Sequence, residues 1–131
     1  ETLGTRWGFR DLIERRAVSV VIADAGYAGG ISVVLTIATL AESHQLPFAL
    51  HDCTGPVNFI VNTHLSAHLP NVALQEFARA FYYGWYQEIV TALPPVERGC
   101  VRPLTSPGLG AALRPEFLER SALIRRRSDA A

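Results

Sequence analysis

The chain has 131 residues, 49% of them hydrophobic and 18% charged, and its twelve basic residues balance twelve acidic ones to a formal net charge of zero. That size and composition fit one soluble globular domain with an ample core and argue against disorder. The neutral balance leaves no global field to attract nucleic acid or an anionic membrane surface.

In chain order, Trp7, Phe9, Leu12 and Ile13 set apolar residues at helical spacing among charges and predict an amphipathic helix over 7–16. Residues 18–23 are β-branched and almost continuously apolar, the pattern of a parallel strand buried on both faces, and the run ends at Asp24. Residues 26–30, Gly-Tyr-Ala-Gly-Gly, form a loop, and Ile31, Val34, Leu35, Ile37, Ala38 and Ala41 stripe a helix over 31–44 that stops at Leu46-Pro47. A short strand over 48–50 delivers His51 at its tip. Thr54-Gly55-Pro56 then opens a helix over 58–69, with proline near the first turn where a missing N–H costs least. A third strand over 72–74 ends at Gln75-Glu76, and 77–93 reads as one aromatic helix whose rings serve the core, with a subunit interface as the alternative. Pro94, Pro95, Pro103, Pro107 and Gly108-Leu109-Gly110 mark an extended tail with a short helix around 115–120.

Strand–helix alternation predicts an α/β fold with a parallel sheet covered by helices, of the TIM-barrel, (β/α)8, type. Residues 1–93 supply about three βα units, and 94–131 the extended tail. A closed barrel takes about 250 residues, so this chain makes less than half of one, with two unpaired sheet edges and an exposed interior. In isolation it is expected to be unstable, or to be held by missing or partner segments. The opening at Glu1, without methionine, a charged leader or an apolar leader core, reads as part of a longer protein.

All twelve basic residues are arginine, so no lysine catalyst is available on this chain. No apolar run approaches the roughly 18 residues of a spanning helix, because Asp24 and Glu42 bracket the longest candidate. Cys53 and Cys100 lack metal-ligand spacing and fit a reducing cytoplasm better than a secreted scaffold, with a disulfide between them left open. Arg125-Arg126-Arg127 reads as a solvated tail.

Glu1, Asp24, His51 and Glu76 recur at gaps of 23, 27 and 25 residues. One βα repeat takes about 25 to 30 residues, so such a series can sit at the same end of successive parallel strands and converge on one pocket. An imidazole there exchanges protons near neutral pH. Tips of adjacent strands lie about 5 Å apart, so Asp24 can hold one ring nitrogen of His51 and leave the other as a base. The same spacing also suits a histidine that caps a helix or bonds to backbone. Glu1 and Glu76 are hard oxygen ligands better suited to magnesium than to zinc, or a frayed terminus and a helix-dipole partner. Asp52 points away from His51 if the pleat persists. His44, His64 and His68 lie on helical stretches and read as structural. The G-x-x-G-G loop matches neither a Walker loop nor the dinucleotide fingerprint and reads as a tight turn, its amides within reach of an anionic group.

With those residues in place, the chain resembles the carboxyl-terminal part of the barrel domain of the enolase superfamily, in its mandelate racemase and sugar-acid dehydratase branch. Glu1 with Arg6 and Phe9 is similar to the family's metal-binding glutamate and following helix. Asp24-Ala25-Gly26-Tyr27-Ala28-Gly29-Gly30-Ile31 resembles its sixth-strand block, and Leu50-His51-Asp52-Cys53-Thr54-Gly55-Pro56-Val57 its seventh-strand histidine block. His64-Leu65 with Pro70-Asn71 and Gln75-Glu76 resembles the eighth. Pro107-Gly108-Leu109-Gly110 resembles the tail that returns to a capping domain, which this chain does not contain.

The resemblance implies that His51 is general base or acid, Asp24 its orienting partner, Glu1 the third ligand of a magnesium ion, and Glu76 a hydrogen-bonding group near the substrate's carboxylate or enolate oxygen. It implies a hydro-lyase acting on a sugar acid, an aldonate or aldarate, through an enediolate that metal and hydrogen-bond charge must stabilise. The parent enzyme is expected to be cytoplasmic and a homo-oligomer. A racemase or epimerase of 2-hydroxy acids is the alternative within enzymes, and a non-catalytic half-barrel assembly module the alternative outside them. The family's other metal ligands and its second-strand lysine motif are not on this chain, so the 131 residues alone are expected to be inactive.

Overall fold

The structure, a computed structural model, describes residues 2–124 and 126. Its centre is a three-stranded parallel sheet in the order β1 (Val21–Ala23), β2 (Phe48–Leu50), β3 (Val72–Gln75). Val21 pairs with Phe48 and Ala23 with Leu50, while Leu50 pairs with Gln75 after a register shift between Phe48 and Ala49. The helices between the strands are α3 (Ile31–Ser43) and α4 (Pro56–His68), and α1 (Thr5–Glu14) packs against α3.

Burial follows position in the sheet. All three residues of central β2 are buried, whereas Ile22 on β1 and Leu74 on β3 are exposed at 37% and 53%. The helix-covered face holds Phe9, Ile13, Val21, Ala23, Val34, Ile37, Ala38 and Phe48 in one cluster. Each large side chain in it contributes about 1.5–3 kcal/mol by leaving water. The opposite face, which a closed barrel would turn inward, keeps Ile22 and Leu74 open.

Several expected elements change. The helix expected over 7–16 starts at Thr5, and the strand expected over 18–23 keeps only Val21–Ala23. The expected loop after Asp24 contains a helical turn, α2 (Ala25–Ala28), because the Asp24 carboxylate accepts the Gly26 and Tyr27 N–H groups and caps it. The single helix expected over 77–93 is instead two turns, α5 (Arg79–Tyr82) and α6 (Tyr86–Ile89). Gly84 lies in the break. A Cβ there would come within 2.7 Å of the Ala80 carbonyl oxygen, so the tight reversal requires glycine.

The tail is more structured than extended. It contains a hairpin, β4 (Val96–Glu97) with β5 (Cys100–Val101), and the short α7 (Pro115–Leu118). Arg98 and Gly99 turn the hairpin with φ of 52° and 76°, a pair suited to a two-residue connection. The tail folds back on α6 through a bridge between Val90 and Leu113, and the Arg114 Nε donates to the carbonyls of Gln87 and Val90 at 2.8 and 2.9 Å. Among the described residues no helix is long and apolar enough to cross a membrane.

Candidate functional site

Parallel pairing of β1 with β2 sets Ala23 beside Leu50, so the next residues, Asp24 and His51, leave neighbouring strands at the same end. Their side chains meet, with His51 Nδ1 2.9 Å from Asp24 Oδ2 and both residues buried. The other Asp24 contacts are donors as well. Oδ1 accepts Gly26 N–H at 2.6 Å and Tyr27 N–H at 3.3 Å, and the Thr54 hydroxyl donates to Oδ2 at 3.1 Å. Surrounded by donors, the carboxylate acts as acceptor, which assigns the ring proton to Nδ1 and leaves Nε2 with the lone pair of a base.

The backbone of His51 is fixed from both sides. Its N–H donates to the Ala23 carbonyl at 3.0 Å, and the buried Asn62 on α4 donates from Nδ2 to its carbonyl at 2.8 Å. Glu76 follows β3 as expected and is tied in by its N–H to the Leu50 carbonyl at 2.8 Å. Its Oε2 lies 3.8 Å from His51 Nε2 and accepts the Asp52 N–H at 3.3 Å. Thus Asp24, His51 and Glu76 come together at the tips of three successive strands. Glu1 lies outside the described residues.

Asp52 is not idle. It accepts Ala78 N–H at 2.9 Å and takes a hydrogen bond from the Tyr86 hydroxyl at 2.9 Å. Burial pushes the Asp52 carboxyl above its ordinary value, against the Ala78 and Tyr86 hydrogen bonds that favour the carboxylate. Burial, followed by the hydrogen bond to Asp52, also raises the Tyr86 hydroxyl well above its ordinary value, so Tyr86 remains a donor. Asn62, Tyr86 and Cys53 are the neighbours that sequence spacing missed. Cys53, two residues beyond His51, has its Sγ 3.5 Å from His51 Nε2.

His44 and His64 take structural roles, bonded to the carbonyls of Leu40 and Leu109 at 3.0 and 3.2 Å. Cys53 and Cys100 form no disulfide. Among the described residues no group of three His, Cys, Asp or Glu side chains is placed to hold a metal ion. The donor set explains this: Asp24 and Asp52 spend their lone pairs on protein N–H and O–H groups, leaving Glu76, its side chain 41% exposed, as the accessible carboxylate. The described residues therefore do not by themselves fit a magnesium centre.

A family model described as "Enolase C-terminal domain-like" matches residues 1–117. Among characterised proteins, the chain is 31% identical over 127 residues to a D-galactonate dehydratase of Verminephrobacter eiseniae, covering 92% of this chain and 33% of that protein. It is 27% identical over 119 residues to a D-xylonate dehydratase of Haloferax volcanii, covering 91% and 29%. A crystal structure of a mandelate racemase subgroup enolase from Agrobacterium tumefaciens superposes with a TM-score of 0.84 at 47% identity, over 91% of this chain and 32% of that one. The chain thus spans about a third of the length of these relatives.

Proposed function

The chain belongs to the enolase C-terminal domain-like family and its βα units are a portion of a (β/α)8 barrel, and from that premise we propose that it carries the proton-transfer group of a sugar-acid dehydratase. The observation that carries the reading is the 2.9 Å contact between Asp24 and His51, which orients a base whose Nε2 lies beside Glu76. In the proposed reaction Nε2 takes the proton from the carbon next to the substrate carboxylate, and the electron pair moves into that carboxylate as an enediolate. Its collapse expels the hydroxyl on the adjacent carbon. The proton held on the imidazolium leaves with that hydroxyl as water, and the resulting enol becomes a 2-keto acid.

A D-xylonate dehydratase and a D-galactonate dehydratase among the relatives support an aldonate or aldarate substrate. Glu76 is proposed to hydrogen-bond an oxygen of the substrate carboxylate. Magnesium, with Glu1 as its ligand on this chain, is proposed as the charge-neutralising partner in the whole protein. The proposed setting is a cytoplasmic homo-oligomer.

The test is proton NMR in D2O on the full-length protein that carries these residues, with a panel of aldonates and aldarates. Loss of the C2 proton signal together with formation of a 2-keto-3-deoxy acid, both abolished in His51→Asn, is the expected result. Turnover that survives His51→Asn would sink the assignment. Exchange of the C2 proton without water loss would turn the reading to a racemase or epimerase.

A further inference from the structure

Cys53 is exposed, follows the buried His51 by two residues, and places Sγ 3.5 Å from His51 Nε2. The other nitrogen of the same ring is held by Asp24 at 2.9 Å. Thiol, imidazole and carboxylate therefore stand in sequence, an arrangement in which the imidazole draws the proton from sulfur and the carboxylate supports the imidazolium. Glu76 Oε2, 3.8 Å from Nε2, is a second carboxylate placed to favour the imidazolium. The dehydratase reading makes no use of this sulfur, which is the solvent-reachable end of the set.

We propose that Cys53 is an oxidation site at which His51 and Asp24 generate a thiolate that a hydroperoxide converts to a sulfenic acid, closing His51 to substrate. The Cys53 proton moves to Nε2, and the sulfur forms a bond to one peroxide oxygen as the O–O bond breaks. The departing oxygen takes the proton from Nε2 and leaves as water when the oxidant is hydrogen peroxide. Sulfur gives up two electrons and the peroxide accepts them. The added hydroxyl then lies against the Nε2 lone pair, and thiol reductants reverse the change. The effect on turnover rests on the dehydratase reading, whereas the thiol chemistry does not.

Cys100, also exposed and paired across the β4–β5 hairpin with Glu97, is an internal comparison. The experiment treats the full-length protein with hydrogen peroxide and dimedone, without substrate, and follows both cysteines by peptide mass spectrometry. Cys53 should be trapped at least about tenfold faster than Cys100 at pH 7, because an unassisted thiol is only a few per cent thiolate there. Asp24→Asn and His51→Gln should each bring Cys53 toward the Cys100 rate. Equal rates in the unsubstituted protein would overturn the proposal whether or not the variants fold, as would undiminished Cys53 trapping in folded His51→Gln. In parallel samples without dimedone, turnover should fall with Cys53 oxidation and return with dithiothreitol. A protein with no dehydratase turnover but selective Cys53 trapping would overturn the functional reading and keep the oxidation site.

Discussion

Tyr86 donates its hydroxyl hydrogen bond to Asp52 at 2.9 Å across 34 residues of chain, and both side chains are buried. This contact joins α6 to the residue that follows His51. Asp52 in turn meets Glu76 through its own N–H. The neighbourhood of His51, the proposed proton-transfer group, is thus tied to α6 through Asp52.

Tyr86→Phe keeps the ring and removes one of the two protein donors that the Asp52 carboxylate oxygens accept. A buried carboxylate short of a donor costs about 1.5–3 kcal/mol. The expected observation is a lower urea midpoint at pH 7 with an unchanged slope. An unchanged midpoint would show that the contact contributes nothing to stability.

Asp52→Asn tests the pH dependence. The Asp52 carboxyl is raised on folding, chiefly by burial, from an ordinary value of 3.8. A raised carboxyl stabilises the fold in its protonated form, so its contribution is complete below 3.8 and is lost as pH climbs through the raised value. The difference in unfolding free energy, unsubstituted protein minus Asp52→Asn, should fall with rising pH across that window and then level off. A difference that grows with pH would contradict the assignment.

Asp24→Asn should leave helix α2 capped, because asparagine caps about as well as aspartate. Its amide NH2 would donate to His51 Nδ1, move the ring proton to Nε2, and remove the lone pair that faces Glu76. In the proposed reaction, C2 proton exchange by the full-length protein should then fall by at least about a hundredfold. A change in the His51 nitrogen NMR shifts should accompany the loss, and lost exchange with unchanged shifts would rule out the tautomer explanation.

Gly55→Ala tests a backbone demand at the start of α4. Gly55 has φ 134° and ψ 166°, a region that side-chain-bearing residues avoid, and a Cβ there would meet nothing within 4 Å. The cost is therefore conformational, about 1–3 kcal/mol. Thermal unfolding should show it, and a stability change below a few tenths of a kcal/mol would refute the strain argument.

The convergence of Asp24, His51 and Glu76 was legible because each follows an apolar strand, and parallel pairing carries equal positions to one end of the sheet. The partners of Asp52 were not legible, because Ala78 and Tyr86 arrive from a later turn of chain. Two-residue alternation from His51 would have set Cys53 on the same face, a signal that the strand-tip spacing passed over. The Phe77 to Leu93 stretch looked continuous because its aromatics fit a helical stripe. Gly84 carried the signal of the break, and its meaning depended on the nearby Ala80 carbonyl. Arg98-Gly99 marked a hairpin that the surrounding prolines obscured.

Arg114 closes the carbonyls of Gln87 and Val90 at the end of the turn that carries Tyr86. A chain leaving the ribosome presents Asp24 and His51 early, and Arg114 only after the whole hairpin has emerged. A chain stopped before Arg114 would leave α6 without that latch, and Asp52 would keep the Ala78 N–H while its Tyr86 donor loosened. Shortening from the carboxyl-terminal side is therefore expected to loosen α6 once it removes Arg114.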